Sequence, residues 1–211
     1  EGQGKRLSIL VVVIESWSLH HTDLFLNINN WTPRLDEQAR RGSWFTNFYS
    51  NGYSTETGLI ALLGGTLPIP THKGWGVLAY NTAEQDALRT LASAGYSTAF
   101  FTSGSLNFGD KGNWLRSIGV EHIEGSSHKA YDGYPRGPFN AASDRVLVER
   151  FISWYDTERG DNPFFATVLN VGTHPPFTDV DDTDSALSGE RYAFARIDEH
   201  VDYLISQLEE R

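Results

Sequence analysis

Leu7-Ser8-Ile9-Leu10-Val11-Val12-Val13-Ile14 is a nearly continuous run of aliphatic residues close to the start of the chain. Unbroken β-branched runs of this kind are typical of parallel strands that are covered on both faces. Glu15 follows the run directly. Open α/β sheets bind their ligands at the carboxyl ends of strands, which makes Glu15 a candidate site residue. A helix cap or an ion pair is the alternative role for this carboxylate.

Strands and helices are predicted to alternate along the rest of the chain. Aromatic and β-branched runs predict three further strands, at residues 44–49, 96–102 and 163–170. Capping and proline signals predict four helices, at residues 32–40, 81–94, 143–156 and 188–211. This order predicts one α/β domain with a mainly parallel central sheet and helices on both faces. The strand ends are expected to meet at one edge of the sheet, at Glu15 and near Ser50, Thr102 and Asn170.

The stretch from Gly52 to Thr66 reads Gly-Tyr-Ser-Thr-Glu-Thr-Gly-Leu-Ile-Ala-Leu-Leu-Gly-Gly-Thr. Small hydroxyl residues run directly into an apolar segment of helical character, which places a hydroxyl at a helix N-terminus. The free N–H groups and the dipole at that end favour negative charge. A threonine there can be a cap, an anion contact or a nucleophile.

Composition limits the classes of function. The chain has 211 residues and a formal net charge of −10, which argues against general binding to nucleic acids or to anionic membranes. It has no cysteine, and this excludes disulfides, thiolate metal ligands and a cysteine nucleophile. No apolar run reaches the roughly 18–20 residues that span a bilayer. Because methionine is also absent, we expect the chain to be a segment of a longer protein, with any membrane anchor outside it.

Several motifs together resemble the alkaline phosphatase and sulfatase superfamily, in particular its lipoteichoic acid synthase-like branch and the phosphoglycerol or phosphoethanolamine transferases. The matching segments are Ile14-Glu15-Ser16, Thr32-Pro33-Arg34-Leu35, Phe45-Thr46-Asn47-Phe48-Tyr49 and residues 55–65. The last segment aligns without a gap with the sulfatase helix Cys/Ser-x-Pro-Ser-Arg-Ala-Ala-Leu-Leu-x-Gly. The resemblance implies an alkaline phosphatase-like fold and covers nearly the whole chain.

The same resemblance implies a covalent mechanism. Its register makes Thr55 the nucleophile, with Thr57 as the competitor because related transferases often carry two threonines two positions apart. Glu15 and Thr55 would bind a divalent metal, Mn²⁺ or Zn²⁺, with Mg²⁺ or Ca²⁺ as alternatives. A phospho-threonine would form and then pass its group to an alcohol or to water. The formylglycine route of sulfatases requires Cys or Ser at the position that Thr55 occupies.

Further candidate residues concern the substrate. Trp114 and Arg116 resemble a Trp-x-Arg pair that contacts the substrate phosphate and glycerol in the lipoteichoic acid synthase-like branch, and an arginine can bind a phosphate through two N–H groups. A core tryptophan and a surface arginine are the alternative. His174, in Thr173-His174-Pro175-Pro176-Phe177, resembles a histidine that contacts the substrate or the leaving group. Asp110 lies near the Trp-x-Arg pair and is a weaker substrate-binding candidate.

Relatives complete the metal site with an Asp-His pair, and this sequence contains no such dipeptide. We therefore expect residues 1–211 to form the N-terminal two thirds of a catalytic domain that is incomplete at its C-terminus. Such a fragment is expected to be inactive alone and prone to self-association. The intact enzyme is expected to act outside the cell membrane, on the periplasmic or extracellular side, on phospholipid or glycan head groups. The alternatives are a sulfuric or phosphonic ester hydrolase and a non-catalytic binding domain that retains the fold.

Overall fold

Parallel strands form the central sheet. In this computed structural model, which describes residues 6–68, 87–177, 180 and 189–211, the sheet has four strands in the order β1-β4-β2-β3. Every pairing between neighbours is parallel. The strands are β1 (Ile9–Val13), β2 (Ser97–Thr102), β3 (His122–Glu124) and β4 (Phe164–Leu169).

The register aligns the carboxyl ends of β1, β4 and β2. Leu169 pairs with Val13 on one side and with Thr102 on the other. The residues that follow these three strands therefore leave the sheet at the same level. Glu15 and Asn170 are consequently brought to one edge, as the sequence predicts.

Helices cover both faces of the sheet. They are α1 (Pro33–Arg41), α2 (Thr55–Gly64), α3 (Ala87–Ser93), α4 (Lys111–Ser117), α5 (Asp144–Thr157) and α6 (Glu190–Glu209). Phe100 packs with α2, α3 and α4, whereas its neighbour Phe101 packs with α5 and α6. Successive side chains of a strand point to opposite faces, so these two phenylalanines anchor the two helical layers. The predicted α/β class with helices on both faces is confirmed.

The strand predicted at residues 44–49 is wrong, because this segment is irregular and lies outside the sheet. Its aromatic residues favour a strand in the sequence, but Phe45, Phe48 and Tyr49 are each more than three-quarters exposed. No described strand pairs with their backbone. The start of the helix predicted from residue 81 and that of the last helix at residue 188 lie outside the described residues.

None of the helices within the described ranges combines the length and the apolarity needed to cross a bilayer.

Candidate active site

A cavity of about 300 Å³ lies beyond the carboxyl ends of β1, β4 and β2. Its lining includes Glu15, Thr102 and Asn170 from the strand ends, and Thr55 from the start of α2. A second, more open cavity of about 570 Å³ also includes Glu15 and Thr55 in its lining. These two residues therefore form a wall that both cavities share.

Glu15 and Thr55 are in direct contact across 40 residues of sequence. The Thr55 hydroxyl donates a hydrogen bond of 2.7 Å from Oγ1 to Glu15 Oε2. Ser16, which follows Glu15, has a left-handed backbone with φ of 58° and donates to Glu15 Oε1 at 3.2 Å. A non-glycine residue with positive φ is strained, and such strain clusters at functional sites. The contact joins the two residues that the sequence assigns to metal binding.

The start of α2 fixes the orientation of Thr55. Ser54 caps the helix, because its hydroxyl accepts from the Thr57 N–H while the Thr57 hydroxyl accepts from the Ser54 N–H at 3.2 Å. This reciprocal arrangement is a capping box with threonine in the usual Glu or Gln position. Gly52 permits it, because a Cβ at Gly52 would lie 1.9 Å from Thr57 Oγ1.

The two candidate threonines consequently have different surroundings. Thr55 lines both cavities, whereas Thr57 lines neither and its hydroxyl donates to the Ser54 carbonyl at 2.8 Å. A hydroxyl that is committed to the cap is poorly placed to react. The geometry therefore favours Thr55 over Thr57, and the role of nucleophile stays a prediction.

Residues that follow β4 hold the backbone of Glu15 in place. Asn170 accepts from the Glu15 N–H at 2.7 Å, and the Thr173 hydroxyl donates to the Glu15 carbonyl at 2.6 Å. The Asn170 amide donates in turn to Asp144, the first residue of α5, at 2.9 Å. Asp144 also accepts from the backbone N–H groups of Val171 and Gly172. This network fixes the loop after β4 against β1.

Nothing in the sequence marks Asp144 as a site residue, because Ser143-Asp144 predicts only the start of a helix. Burial raises the pKa of its carboxyl, and the hydrogen bonds from Val171, Asn170 and Gly172 oppose that rise. Its role is to position the loop, since it is buried and lines neither of the two cavities described above.

His174 lies in the loop after β4 and lines the cavity. Its Nδ1 is 2.7 Å from the Pro175 carbonyl oxygen. A carbonyl can only accept, so Nδ1 carries a proton and Nε2 is the nitrogen that can exchange one. The imidazole packs edge-to-face against Phe139, with ring centroids 4.6 Å apart.

Lys111 is a cavity residue that sequence reasoning missed. Its side chain lines the cavity although the residue is only 7% exposed. Burial lowers the pKa of its ammonium, and attraction to Glu56 and Glu15 offsets only part of that effect. No motif marks Lys111 in the sequence, because the Gly, Asn and Asp residues around it predict a loop and not the start of α4.

The other predicted substrate-binding residues lie outside the cavity lining. Trp114 is 4% exposed and packs in the core with α2 and Phe100. Arg116 and Asp110 are exposed, and both bond to Asn113: Arg116 Nη1 donates to its side-chain oxygen at 3.1 Å, and Asp110 accepts from its amide at 2.7 Å. Their predicted contacts with substrate stay predictions.

The donor atoms of Glu15 and Thr55 suit a hard divalent cation. A carboxylate oxygen and a hydroxyl oxygen 2.7 Å apart can share one ion, and such oxygens are ligands of Mg²⁺, Mn²⁺ and Zn²⁺. Within residues 6–68, 87–177, 180 and 189–211, no three His, Cys, Asp or Glu side chains are grouped for metal binding. The described residues thus supply two donors of suitable chemistry and not a complete ligand set.

Comparison with known proteins agrees with this fold. A protein of the alkaline phosphatase superfamily from Vibrio parahaemolyticus superposes with a TM-score of 0.84 at 22% identity, over 99% of this chain and 52% of that one. The lipoteichoic acid synthase LtaP from Listeria monocytogenes gives 0.76 at 18% identity, over 97% and 52%. The C-terminal periplasmic domain of EcEptC from Escherichia coli, in complex with Zn, gives 0.63 at 17% identity, over 97% and 60%.

These likenesses establish a shared fold. The chain spans about half the length of the first two structures. The Sulfatase family model matches residues 8–211, which is nearly the whole sequence. The chain therefore belongs to the sulfatase family.

Proposed function

We propose that this chain supplies the nucleophile of an enzyme that transfers or hydrolyses a phosphate-linked head group, of the phosphoglycerol or phosphoethanolamine type. The observation that carries the proposal is the hydrogen bond of 2.7 Å from Thr55 Oγ1 to Glu15 Oε2 at the wall of the cavity. A threonine hydroxyl is a weak nucleophile unless a base or a metal activates it, and Glu15 is placed for either activation. The lipoteichoic acid synthase LtaP shares this fold, and that likeness supports the choice.

In the first step, the Thr55 oxygen forms a bond to the phosphorus of the substrate, and the bond from phosphorus to the leaving-group oxygen breaks. The hydroxyl proton moves to Glu15 Oε2, which already accepts its hydrogen bond. The leaving oxygen takes a proton from His174 Nε2, since Nδ1 is held by the Pro175 carbonyl. The product is a phosphodiester on Thr55.

In the second step, an acceptor alcohol or water attacks the same phosphorus, and the bond to Thr55 Oγ1 breaks. The attacking oxygen gives its proton to His174, and Thr55 recovers its proton from Glu15. An alcohol acceptor makes the protein a transferase, whereas water makes it a hydrolase. Both outcomes use the same residues.

Glu15 and Thr55 would hold a divalent cation, Mn²⁺ or Zn²⁺, and when bound this ion would lower the pKa of the hydroxyl and neutralise charge on the phosphoryl oxygens. The substrate is proposed to be a phospholipid or glycan head group, and the site is proposed to act on the periplasmic or extracellular side of the membrane. The periplasmic location of the EcEptC domain supports that side.

A sulfate ester is the second candidate substrate, and the match to the Sulfatase family model favours it. A sulfuryl group has the same tetrahedral anionic shape as a phosphoryl group. Thr55 argues against the formylglycine route, so sulfate hydrolysis would need direct attack by the hydroxyl.

Substitution of Thr55 tests the proposal. The variants are made in the longest natural polypeptide that carries these residues. With a chromogenic phosphodiester as substrate and Mn²⁺ or Zn²⁺ present, Thr55→Ala is expected to lower kcat by about 10³-fold or more. Thr55→Ser is expected to retain part of the wild-type kcat. Mass spectrometry of quenched wild-type enzyme should find the adduct on Thr55. Thr57→Ser, which keeps the capping hydroxyl, is the matched control and should stay active. Full turnover by Thr55→Ala would exclude Thr55 as the nucleophile.

A further inference from the structure

Phe139 has an unusual backbone conformation at the edge of the cavity. Its φ of 57° and ψ of 22° lie in the left-handed region, and the next residue, Asn140, has a φ of 55°. Asparagine tolerates this region because its side chain is short and polar, but a bulky residue such as phenylalanine is strained there. Glycine would adopt the same backbone without that strain. A strained phenylalanine beside a cavity indicates a use for its side chain, because such strain clusters at functional sites.

Hydrogen bonds fix the turn that carries Phe139. The Gly137 N–H donates to the Ala141 carbonyl at 2.8 Å, and the Ala141 N–H donates back to the Pro138 carbonyl at 3.1 Å. Ser105, in the loop after β2, donates from its backbone N–H to the Phe139 carbonyl at 2.9 Å. The turn is therefore closed on itself and attached to the loop that follows β2.

The ring of Phe139 contacts the imidazole of His174. The two ring centroids are 4.6 Å apart and the planes are inclined at 71°, the edge-to-face arrangement that aromatic pairs favour. Phe139 also packs edge-to-face against Phe108, with centroids 4.9 Å apart. All three residues line the cavity. Rings from three separate segments thus form one row along its wall.

This contact gives His174 a support outside its own loop. The hydrogen bond from Nδ1 goes to the carbonyl of the very next residue, Pro175, so it moves with the loop. The Phe139 ring belongs to a different segment, which is fixed to the loop after β2. The two contacts together restrict rotation of the imidazole and leave Nε2 as the nitrogen that exchanges a proton.

We propose that Phe139 is a positioning residue, whose ring holds the His174 imidazole so that Nε2 is directed at the oxygen of the leaving group. The inference rests on the proposed function, in which that oxygen takes the Nε2 proton while its bond to phosphorus breaks. Phe139 neither gives nor takes a proton itself. Its contribution is geometric, because a general acid must lie within hydrogen-bond reach of the atom that it protonates.

Two other roles for Phe139 would give different kinetics. A ring that only stabilises the fold would lower activity towards every substrate equally, because less of the protein would be folded. A ring that binds the organic part of the transferred group would also lower kcat/KM whatever the leaving group. A positioning role affects only those leaving groups that need a proton.

The experiment compares two phosphodiesters of glycerol that differ in the leaving group. In the first it is p-nitrophenolate, which leaves as an anion, and in the second it is glycerol, which must be protonated as it leaves. The value of kcat/KM is measured with Mn²⁺ or Zn²⁺ in the longest natural polypeptide, because it reports the steps up to release of the leaving group. We expect His174→Ala to lower kcat/KM by about 10²-fold or more for the glycerol leaving group and by far less for p-nitrophenolate.

Phe139→Ala is expected to show the same selectivity in weaker form. It should lower kcat/KM about tenfold for the glycerol leaving group and leave the value for p-nitrophenolate nearly unchanged. Phe139→Leu keeps an apolar side chain but loses the ring, and should behave similarly, whereas Phe139→Tyr keeps the ring and should retain most of the activity. Asn140→Gly changes an exposed residue of the same turn and keeps its left-handed backbone. This matched control should behave as wild type with both substrates.

The ratio of the two kcat/KM values does not depend on how much of a variant is folded. Equal losses with both leaving groups in Phe139→Ala and Phe139→Leu would therefore overturn the proposal. In the His174→Ala background, Phe139→Ala should have no further effect on this ratio, and a further change would also overturn the proposal. Failure of the proposed function has a different signature, because His174→Ala itself would not discriminate between the leaving groups and Thr55→Ala would keep full turnover.

Discussion

Two groups of charged side chains lie near strands of the same sheet, and they differ in how completely they are paired. The first is the cavity group of Glu15, Glu56 and Lys111. The second, which we call the β3 ion network, consists of Glu124 at the end of β3 and its partners His122, His128, Arg150 and Glu158. In the β3 ion network every charge has a close partner, whereas the Lys111 ammonium has none among the described residues.

The pairing in the β3 ion network is bidentate. Arg150 donates from Nε and Nη2 to the two oxygens of Glu124, at 2.9 and 2.6 Å, and from Nη1 to Glu158 at 2.6 Å. His122 Nε2 lies 2.5 Å from Glu124 Oε1, and His128 Nδ1 lies 3.4 Å from Oε2. Burial acts to raise the pKa of Glu124, but the hydrogen bonds from His122 and Arg150 outweigh it and lower the pKa to about 2.

The contrast separates two uses of buried charge. Charges that satisfy one another fix α5 against β3 and leave no capacity for a ligand. Charges that remain uncommitted cost stability and are retained where a ligand can use them. Three measurements of stability test this distinction.

The largest effect is expected from Arg150→Met. The substitution leaves Glu124 buried without its bidentate partner, which typically costs about 3–5 kcal/mol of unfolding free energy. Urea denaturation at neutral pH measures the change. Arg145→Met, on the exposed face of the same helix and paired with Glu149, should cost less than about 1 kcal/mol. Equal losses in the two variants would remove the distinction between paired core charges and surface charges.

A smaller effect is expected from acid. The pKa of Glu124 is about 2 in the folded chain, below the value of about 4.3 for an unfolded glutamate. Its contribution is therefore fully present above about pH 5 and is lost as the pH falls towards 2, on the order of 2–3 kcal/mol. Unfolding free energies measured across this pH range, for wild type and for Glu124→Gln, isolate the contribution of Glu124 to stability. The two pH profiles should converge towards pH 2, and parallel profiles would contradict it.

The smallest effect is expected from Lys111→Met. Removal of an unpaired, buried ammonium relieves its desolvation, so the unfolding free energy should stay within about 1 kcal/mol of wild type or rise slightly. Urea denaturation of this variant without added anion is the measurement. A loss as large as that of Arg150→Met would place Lys111 with the structural charges, alongside Glu56.

The sequence predicts the parts of the fold and site that depend on local pattern. The apolar run before Glu15 and the hydroxyl cluster before α2 mark the first strand and the start of that helix, and the resemblance selects Thr55. Lys111 and Asp144 escape detection because their burial arises only when α4 and α5 pack on the sheet. The aromatic content of residues 44–49 predicts a strand, but aromatic content carries no information about backbone partners.

The capping box at the start of α2 has a consequence for the entropy of the reaction. Ser54 and Thr57 lock the first turn of the helix, so the backbone that carries the Thr55 hydroxyl is immobilised when the chain folds and not when a substrate arrives. For the attack that we propose, the cost of orienting the Thr55 oxygen would then already have been met, which would raise its effective concentration towards a bound ester. Thr57 would thus accelerate the reaction of its neighbour without touching the substrate.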